Sequence, residues 1–309
     1  MRVAVVDIGT NSTRLLVADV DGGRVDEVER RSTVTRLGRG VDTSNQLSNE
    51  GIEAVCEVLG EYIDAYRELD AERVFALATS AVRDADNSAV FLAELRERFA
   101  LDARILDGDT EARLTYSGAC ADHPVDGRRT LVVDIGGGST ELIVGDGPEV
   151  GFHASLQAGV VRHTERYLRT DPPAAAELEA LAGDVRELVA AAVEGADARV
   201  EEGIAVAGTP TSLAAIDQRL DPYDRDRVHG YGLEIVSIQR MLSQLASKPL
   251  AERLEVTGLH PGRAPTIVAG VVILIQVMRV FGLDEVEISE HDILWGAALE
   301  AAKAPEASA

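Results

Sequence analysis

Aromatic residues and cysteines are scarce in this chain of 309 residues, and each scarcity limits what the protein can be. Aromatic side chains make up 4% of the sequence, so the cores must consist mainly of Val, Leu, Ala and Ile. The two cysteines, Cys56 and Cys120, show neither the spacing of metal ligands nor a redox motif. This usage favours reduced cysteines and a cytoplasmic location.

Basic residues are also few, because 30 lysines and arginines face 53 aspartates and glutamates and give a net charge of −23. Such a charge disfavours DNA or RNA as a partner, since counterion release needs a basic face. It would also repel a polyanionic substrate, unless arginines cluster locally and a divalent metal screens the site. Five arginines lie near the motifs of the first half: Arg14, Arg36, Arg39, Arg83 and Arg113.

Long hydrophobic runs are missing as well. The longest, Ile267–Met278, is interrupted by Gln276, is too short to span a membrane and predicts a buried helix. The first ~30 residues show a strand pattern with Asp7 rather than a charged segment and an apolar block, so we expect no signal peptide. We therefore expect no membrane partner.

The stretch at residues 132–142, VVDIGGGSTEL, organises the rest of the chain. Its pattern predicts a strand, a tight turn and a second strand, with glycines that allow positive φ and leave room for a ligand. Backbone N–H groups of the turn (residues 136–139, the second glycine loop) can converge on an anion. Asp134 and Glu141 are hard oxygen donors suited to Mg²⁺. A phosphate cradle beside two metal-binding carboxylates indicates phosphoryl chemistry.

The same pattern occurs at residues 5–17, at a constant offset of 127 (134 − 7 = 127), with nine of thirteen aligned residues identical. This copy contains the first glycine loop (residues 9–12), and Arg14 stands where the second copy has Glu141. The repeat predicts a duplicated α/β domain with two phosphate loops facing one cleft. We place one domain at residues 1–125 plus 292–309 and the other at 126–291.

Other segments show helical or strand patterns. A helix is expected from Ser48, and another over residues 87–99 with Val90, Phe91, Leu95 and Phe99 on one side. Asp109 is expected to cap a helix that contains Glu111, and Arg83 to open a loop after a strand. In the second half we expect a small-residue turn at 207–211 before a helix at 212–217, a loop at 221–232, and helices at 261–281 and 291–303. Trp295 is expected on the core face of that last helix, and the tail 304–309 is expected to be disordered.

Five segments together resemble the exopolyphosphatase / guanosine pentaphosphate phosphohydrolase family, in its short two-domain form. In chain order they are residues 7–12 (DIGTNS), 78–84 (ATSAVRD), 109–114 (DTEARL), 134–141 (DIGGGSTE) and 208–214 (GTPTSLA). The resemblance covers essentially the whole chain. It implies two ribonuclease H-like domains of the actin-like (sugar kinase/Hsp70) ATPase fold around a central cleft. It also implies a metal-dependent phosphoanhydride hydrolase with Mg²⁺, or Mn²⁺ in its place, as cofactor.

The resemblance assigns roles to individual residues. It implies that Glu111 orients or deprotonates the attacking water, although a glutamate at a helix start can also just complement the helix dipole. The metal ligands would be Asp134 and Glu141. Arginine suits bidentate phosphate contact, which makes Arg14 and Arg83 candidate clamps. The full predicted set of phosphate- or substrate-binding residues is Gly9, Thr10, Asn11, Ser12, Arg14, Arg83, Gly136, Gly137, Gly138, Ser139, Gly208 and Thr209.

Several alternatives stay open at this stage. Gly208 and Thr209 can be a tight turn only, Arg36 and Arg39 can be solvated loop residues, and His229 suits a loop hydrogen bond better than a metal ligand. The six histidines are scattered in sequence, so no zinc site is expected.

The substrate could be inorganic polyphosphate or guanosine pentaphosphate, and the low aromatic content favours polyphosphate. A kinase of the same fold and a non-catalytic sensor of polyphosphate or alarmone are the competing functions, and a homodimer is plausible.

Overall fold

The structure is a computed structural model that describes residues 1–123, 126–147 and 149–303. Its strands are β1 (Arg2–Ile8), β2 (Ser12–Asp21), β3 (Arg24–Val34), β4 (Arg73–Ala78), β5 (Ala103–Ile105), β6 (Arg129–Ile135), β7 (Thr140–Asp146), β8 (Glu149–Leu156), β9 (Glu202–Val206), β10 (Tyr231–Glu234) and β11 (Glu285–Ile288). Its helices are α1 (Val41–Ser44), α2 (Asn49–Glu68), α3 (Ser80–Arg83), α4 (Ser88–Phe99), α5 (Gly108–Ala119), α6 (Val160–Tyr167), α7 (Ala175–Val193), α8 (Gly208–Asp217), α9 (Arg225–Val228), α10 (Ile235–Ala246), α11 (Leu250–Arg253), α12 (Ile267–Phe281) and α13 (Ile293–Lys303).

The chain divides into two compact units. The first comprises Met1–Ala121 and the segment that starts at Ile293, and the second comprises Asp122–Asp292. Each unit contains one mixed sheet with helices, so the predicted α/β class is confirmed. The exact boundaries of the two domains that the sequence predicts remain a prediction.

The first unit is built on a sheet of order β3-β2-β1-β4-β5. Strands β1, β2 and β3 form an antiparallel meander, while β4 runs parallel to β1 and β5 parallel to β4. Successive side chains of a strand alternate between the two faces. Ala4 and Val6 accordingly join the core under α2 and α4, whereas Val5 joins the opposite core with Leu294 and Trp295 of α13.

The second unit has a sheet of order β10-β11-β9-β6-β7-β8. Strands β6, β9 and β11 are parallel, so their carboxyl ends lie along one edge of the sheet. Every residue of α12 from Ile267 to Met278 is buried, which confirms that the longest apolar run forms a core helix. None of the helices in the described parts of the chain is both long enough and apolar enough to cross a membrane.

Several predicted helix starts are wrong, among them those of α5 and α12. Asp107, not Asp109, is the N-cap of α5, because its carboxylate accepts the Thr110 N–H at 2.7 Å. The helix expected from residue 261 begins at Ile267 after turns over 261–266. Pro265 explains the delay, since proline disfavours helical geometry in the residue before it.

Other local expectations also need correction. Val90 is 69% exposed and lies off the buried face that Phe91 and Leu95 form on α4. The predicted loop at 221–232 contains α9 and the start of β10, and the last helix starts at Ile293 rather than at 291. The predicted disordered tail at 304–309 lies outside the described residues.

Candidate functional site

The two glycine loops share one local geometry, each in its own unit. The Gly9 N–H donates to the Ser12 carbonyl at 3.1 Å, and the Gly136 N–H donates to the Ser139 carbonyl at 3.0 Å. A Cβ on Gly9 or Gly136 would lie 3.0 or 3.1 Å from that same carbonyl oxygen. The predicted strand, turn and strand are therefore confirmed in both copies.

The reason for glycine in these loops differs from the expected one. Gly9, Gly136, Gly137 and Gly138 are not among the glycines with positive φ, so left-handed geometry does not require them. Close approach favours glycine at Gly9 and Gly136, beside the carbonyls of Ser12 and Ser139, and it requires glycine at Gly159, where a Cβ would lie 2.2 Å from the Gly137 carbonyl oxygen. The carbonyls of residues 136 and 137 accept N–H groups from the first turn of α6, which fixes the second glycine loop on that helix.

At the first loop, Asp7 and Arg14 lie opposite each other on β1 and β2 and form an ion pair. Nη2 of Arg14 lies 2.6 Å from Oδ2 of Asp7, and Nε donates to the same oxygen at 2.9 Å. The guanidinium that the sequence predicts as a phosphate clamp is thus held by a buried carboxylate.

Three buried polar groups in or next to the first glycine loop have no hydrogen-bond partner among the described residues. They are Nδ2 of Asn11, Oγ of Ser12 and Oγ of Ser80, and their residues are 5%, 6% and 2% exposed. The Ala81 N–H donates to Oγ1 of Thr10 at 3.2 Å, which joins the loop to α3, where Ser80 lies. Buried polar groups cost free energy unless they are paired, so these atoms suit a polar ligand.

The hydrogen bond from the Ala81 N–H also changes the expected role of Thr10. Its hydroxyl already accepts a backbone N–H, and its side chain fills the space beside Gly38, where a Cβ would lie 2.2 Å from Cγ2 of Thr10. Asn11 uses its carbonyl to accept the N–H groups of Thr35 and Arg36. The side chains of Asn11 and Ser12 therefore remain as ligand candidates, and Thr10 positions the loop.

Glu111 lies in the first turn of α5, in contact with Arg83 at the end of α3. Nη1 of Arg83 lies 2.7 Å from Oε2 of Glu111 and also donates to the Leu106 carbonyl at 3.0 Å. The sequence placed Arg83 in a loop and gave it a role separate from Glu111; the structure places it on a helical turn and pairs the two residues.

Glu111 is 7% exposed, and this burial is the main influence on the pKa of its carboxyl group. It raises the pKa of the carboxyl above its usual value, and the ion pair with Arg83 offsets this only in part. The negative charge of Asp7 raises the pKa of Glu111 further. A pKa closer to neutral pH suits a general base.

In the second unit, Asp134 and Glu141 occupy the positions that Asp7 and Arg14 hold in the first. They are directly opposite in the pairing of β6 and β7, so both carboxylates project from one face of the sheet at neighbouring positions. Glu141 is 3% exposed, and Ser155 donates its hydroxyl to Oε1 at 3.0 Å. Two adjacent carboxylates fit Mg²⁺, which binds through one or two carboxylates and keeps several waters.

Gly208 and Thr209 belong to the first turn of α8 rather than to a turn before it. Thr209 is buried against α12, where a Cβ on Gly270 would lie 2.2 Å from its hydroxyl oxygen. Gly208 lies against Arg263, whose Cζ is 2.4 Å from the position of a Cβ on that glycine. Thr209 therefore has a packing role, and Arg263 is a basic residue near the predicted site that the sequence analysis missed.

Histidines do come together in the second unit, contrary to the impression from the sequence. His229, His291 and Asp122 place ligand atoms within 4.8 Å of one another, and Nδ1 of His291 is 2.7 Å from Oδ2 of Asp122. The Glu290 N–H donates to Nδ1 of His229 at 3.2 Å, so in neutral His229 the proton lies on Nε2. The Nε2 that faces Asp122 then cannot ligate a metal, and the expected role of His229 as a loop hydrogen bonder is confirmed.

Comparison with known proteins identifies the family of this chain. The model of the Ppx/GppA phosphatase family matches residues 16–300. Exopolyphosphatase 2 of Mycobacterium tuberculosis is 35% identical over 97% of this chain and 98% of its own. A guanosine-5'-triphosphate,3'-diphosphate pyrophosphatase of Aliivibrio fischeri is 27% identical, and this chain spans 56% of its length.

A solved structure gives the same answer for the fold. The Aquifex aeolicus member of the Ppx/GppA family superimposes with a TM-score of 0.84 and 30% identity over 100% of this chain and 99% of its own. The expected two-domain actin-like ATPase fold is thereby confirmed. The chain belongs to the Ppx/GppA phosphatase family and is a hydrolase.

Proposed function

We propose that this protein is an exopolyphosphatase that hydrolyses the terminal phosphoanhydride of inorganic polyphosphate and releases orthophosphate. The observation that carries the proposal is the buried Glu111 carboxylate, whose pKa is raised and whose position is fixed by Arg83. A carboxylate held in this way is suited to accept a proton from water near neutral pH.

In the proposed reaction, Glu111 takes a proton from a water molecule whose oxygen attacks the terminal phosphorus. The bond from that phosphorus to its bridging oxygen breaks, and the electron pair leaves with the shortened chain. Arg83 keeps the Glu111 carboxylate in one orientation, while the groups of Asn11, Ser12 and Ser80 donate hydrogen bonds to phosphate oxygens. Such positioning and charge stabilisation supply most of the catalysis in phosphoryl transfer.

Asp134 and Glu141 would hold Mg²⁺, or Mn²⁺ in its place, in this proposal. The bound ion would neutralise phosphate charge, as divalent ions do in phosphoryl transfer. A protein with a net charge of −23 needs such local positive charge to bind a polyanion.

Guanosine pentaphosphate is the second candidate substrate. It is favoured by the name of the Aliivibrio fischeri relative. The terminal phosphoanhydride and the chemistry at Glu111 would be the same for both substrates.

Phosphate release by the purified protein tests the proposal. Short polyphosphate, long polyphosphate, guanosine pentaphosphate and ATP are compared with Mg²⁺ and with Mn²⁺. Orthophosphate release from polyphosphate is expected. Transfer of a radiolabelled terminal phosphate to a small acceptor would instead indicate a kinase, and tight binding without turnover would indicate a sensor.

A further inference from the structure

The segment that follows β3, residues 35–40 (TRLGRG, the arginine turn), is joined to the first glycine loop by backbone hydrogen bonds. The Asn11 carbonyl accepts two N–H groups of the turn, at 3.1 and 3.0 Å. The Thr10 carbonyl accepts the N–H of Gly38 at 2.8 Å. The arginine turn therefore borders Asn11, whose side-chain amide is one of the buried groups without a partner.

Side-chain packing fixes the arginine turn in the same place. Leu37 is fully buried, and a Cβ on Gly51 of α2 would lie 3.2 Å from its Cα. A Cβ on Gly38 would lie 3.1 Å from Cβ of Ala81, the residue after Ser80 in α3. The turn thus lies against both segments that present unpartnered donors, the first glycine loop and α3.

Two exposed arginines project from this fixed turn. The guanidinium groups of Arg36 and Arg39 have no hydrogen-bond or ion-pair partner among the described residues. Arg36 has a φ of 52°, which is uncommon for a residue other than glycine. Glycine would adopt this geometry without a steric penalty, and residues held in such geometry concentrate at functional sites.

The charge balance of the first unit gives these arginines a use. The two predicted phosphate clamps are each paired with a carboxylate, Arg14 with Asp7 and Arg83 with Glu111. Most of their positive charge is therefore compensated within the protein, whose net charge is −23. The arginine turn offers uncompensated positive charge beside the first glycine loop, which a polyanion requires.

We propose that Arg36 and Arg39 bind the phosphate groups that follow the terminal one, and that they determine how tightly a long polyphosphate chain is held. The inference rests on the proposed function, because the terminal phosphoryl group is taken to lie at the donors of Asn11, Ser12 and Ser80. The planar guanidinium fork suits bidentate contact with phosphate. The Arg39 N–H donates to the Arg36 carbonyl at 3.0 Å, so both side chains start from one tight turn and can reach neighbouring phosphates of one chain.

The salt dependence of polyphosphate binding tests this role. Each cationic side chain that contacts a polyanion releases counterions, which contributes about 0.7–0.9 to the slope of log Kd against log salt concentration. The probe is long-chain polyphosphate with a fluorophore at one end, titrated with the wild-type protein at several salt concentrations. Divalent metal is left out, which prevents turnover in the proposed reaction and keeps metal ions from competing for the polyanion.

Arg36→Gln and Arg39→Gln should each lower the slope by about 0.7–0.9. Each should also weaken binding at low salt by about fivefold, the upper value for an exposed charge pair. Arg36→Lys keeps the charge and should keep the slope, although it loses the planar fork and with it part of the affinity. All three variants should melt at the wild-type temperature, because they change exposed side chains without partners in the described chain.

Arg67→Gln is the matched control. Arg67 is exposed in the same unit, and its guanidinium also lacks a hydrogen-bond or ion-pair partner in the part of the chain that the structure describes. It lies in the last turn of α2, about 24 Å along the helix from Gly51, which packs on the arginine turn. Its replacement should leave the slope unchanged, although it removes the same charge.

The proposal is overturned if Arg36→Gln and Arg39→Gln lower the slope no more than Arg67→Gln does, or if the wild type does not bind the probe. Arg39 is not among the residues with positive φ, so Arg39→Gln and Arg36→Lys still decide the question if Arg36→Gln folds poorly.

Orthophosphate release from long polyphosphate, with Mg²⁺ and with Mn²⁺, is measured on the same samples. Release by the wild type, with a slope that ignores residues 36 and 39, would remove the role of the arginine turn and leave the proposed function. No release with either metal, together with lower slopes in Arg36→Gln and Arg39→Gln, would remove the proposed function and keep the turn as a polyphosphate-binding element.

Discussion

Oε2 of Glu111 lies 2.7 Å from Nη1 of Arg83, and Glu111 is buried in the first unit. The two residues are separated by 28 positions in the sequence, and their motifs suggest unrelated roles. Their contact couples them, because the pKa of Glu111 reflects a balance between burial, which raises it, and the Arg83 charge, which lowers it.

Arg83→Ala should therefore move the acidic limb of the pH profile of kcat/KM to higher pH. The base must be ionised to accept a proton, and its pKa is already raised by burial in the wild type. Without the guanidinium, the ionised form loses its stabilising charge and the pKa rises further. The acidic limb is measured on short polyphosphate from the range of the ordinary glutamate pKa up to neutral pH.

Arg83→Lys is the matched variant, because it keeps a positive charge near the carboxylate but loses the planar fork. Its acidic limb should lie between those of the wild type and Arg83→Ala. An unchanged limb in Arg83→Ala, whatever the size of the fall in rate, would contradict the coupling.

Asp134→Asn and Glu141→Gln should each weaken Mn²⁺ binding by at least about tenfold, since each removes a charged oxygen ligand. Electron paramagnetic resonance titration without substrate measures this affinity separately from catalysis. Asp146→Asn removes an exposed carboxylate from the same strand, β7, and serves as the control. If Asp134→Asn and Glu141→Gln both bind Mn²⁺ with wild-type affinity, the metal site lies elsewhere.

Ser80→Ala should leave the melting temperature unchanged and lower kcat/KM for polyphosphate by about 10- to 150-fold, the range for a hydrogen bond to a charged group. The Ser80 hydroxyl is buried without a partner in the described residues, so its removal breaks no internal hydrogen bond. Thr164→Val removes another buried, unpartnered hydroxyl and should leave kcat/KM unchanged. If both variants keep full activity, Ser80 does not contact phosphate.

Two glycine substitutions test the support of the second glycine loop. Gly159→Ala should destabilise the protein strongly, because its Cβ would lie 2.2 Å from a backbone oxygen of Gly137. Gly183→Ala in the interior of α7 should stabilise it by about 0.5–1 kcal/mol, since no atom lies within 4 Å of its Cβ. Thermal unfolding measures both, and a Gly159→Ala protein as stable as the wild type would contradict the close approach.

The sequence was informative wherever a pattern repeats. The match of residues 5–17 to residues 132–144 predicted both strand pairs and both glycine loops, and α12 followed from the longest apolar run of the chain. These features depend on local order and on burial, which the periodicity of apolar residues predicts.

Side-chain partnerships were beyond the reach of those patterns. The pairs Arg83–Glu111 and Arg14–Asp7, the packing of Arg263 on Gly208, and the cluster of Asp122 with two histidines all join residues that the fold brings together. The Asp107 cap was missed because Asp107 and Asp109 are equally plausible caps, and only the helix start at Gly108 distinguishes them.

The single-turnover rate constant of Glu111→Gln for the hydrolysis of short polyphosphate is the most direct test of the proposed mechanism. Glu97→Gln, an identical change on the exposed surface of α4, is the control. We predict a fall of about 10²–10⁴-fold in Glu111→Gln, the usual contribution of a general base, with folding and Mn²⁺ affinity unchanged. A rate close to that of the wild type and Glu97→Gln would show that Glu111 does not activate the water.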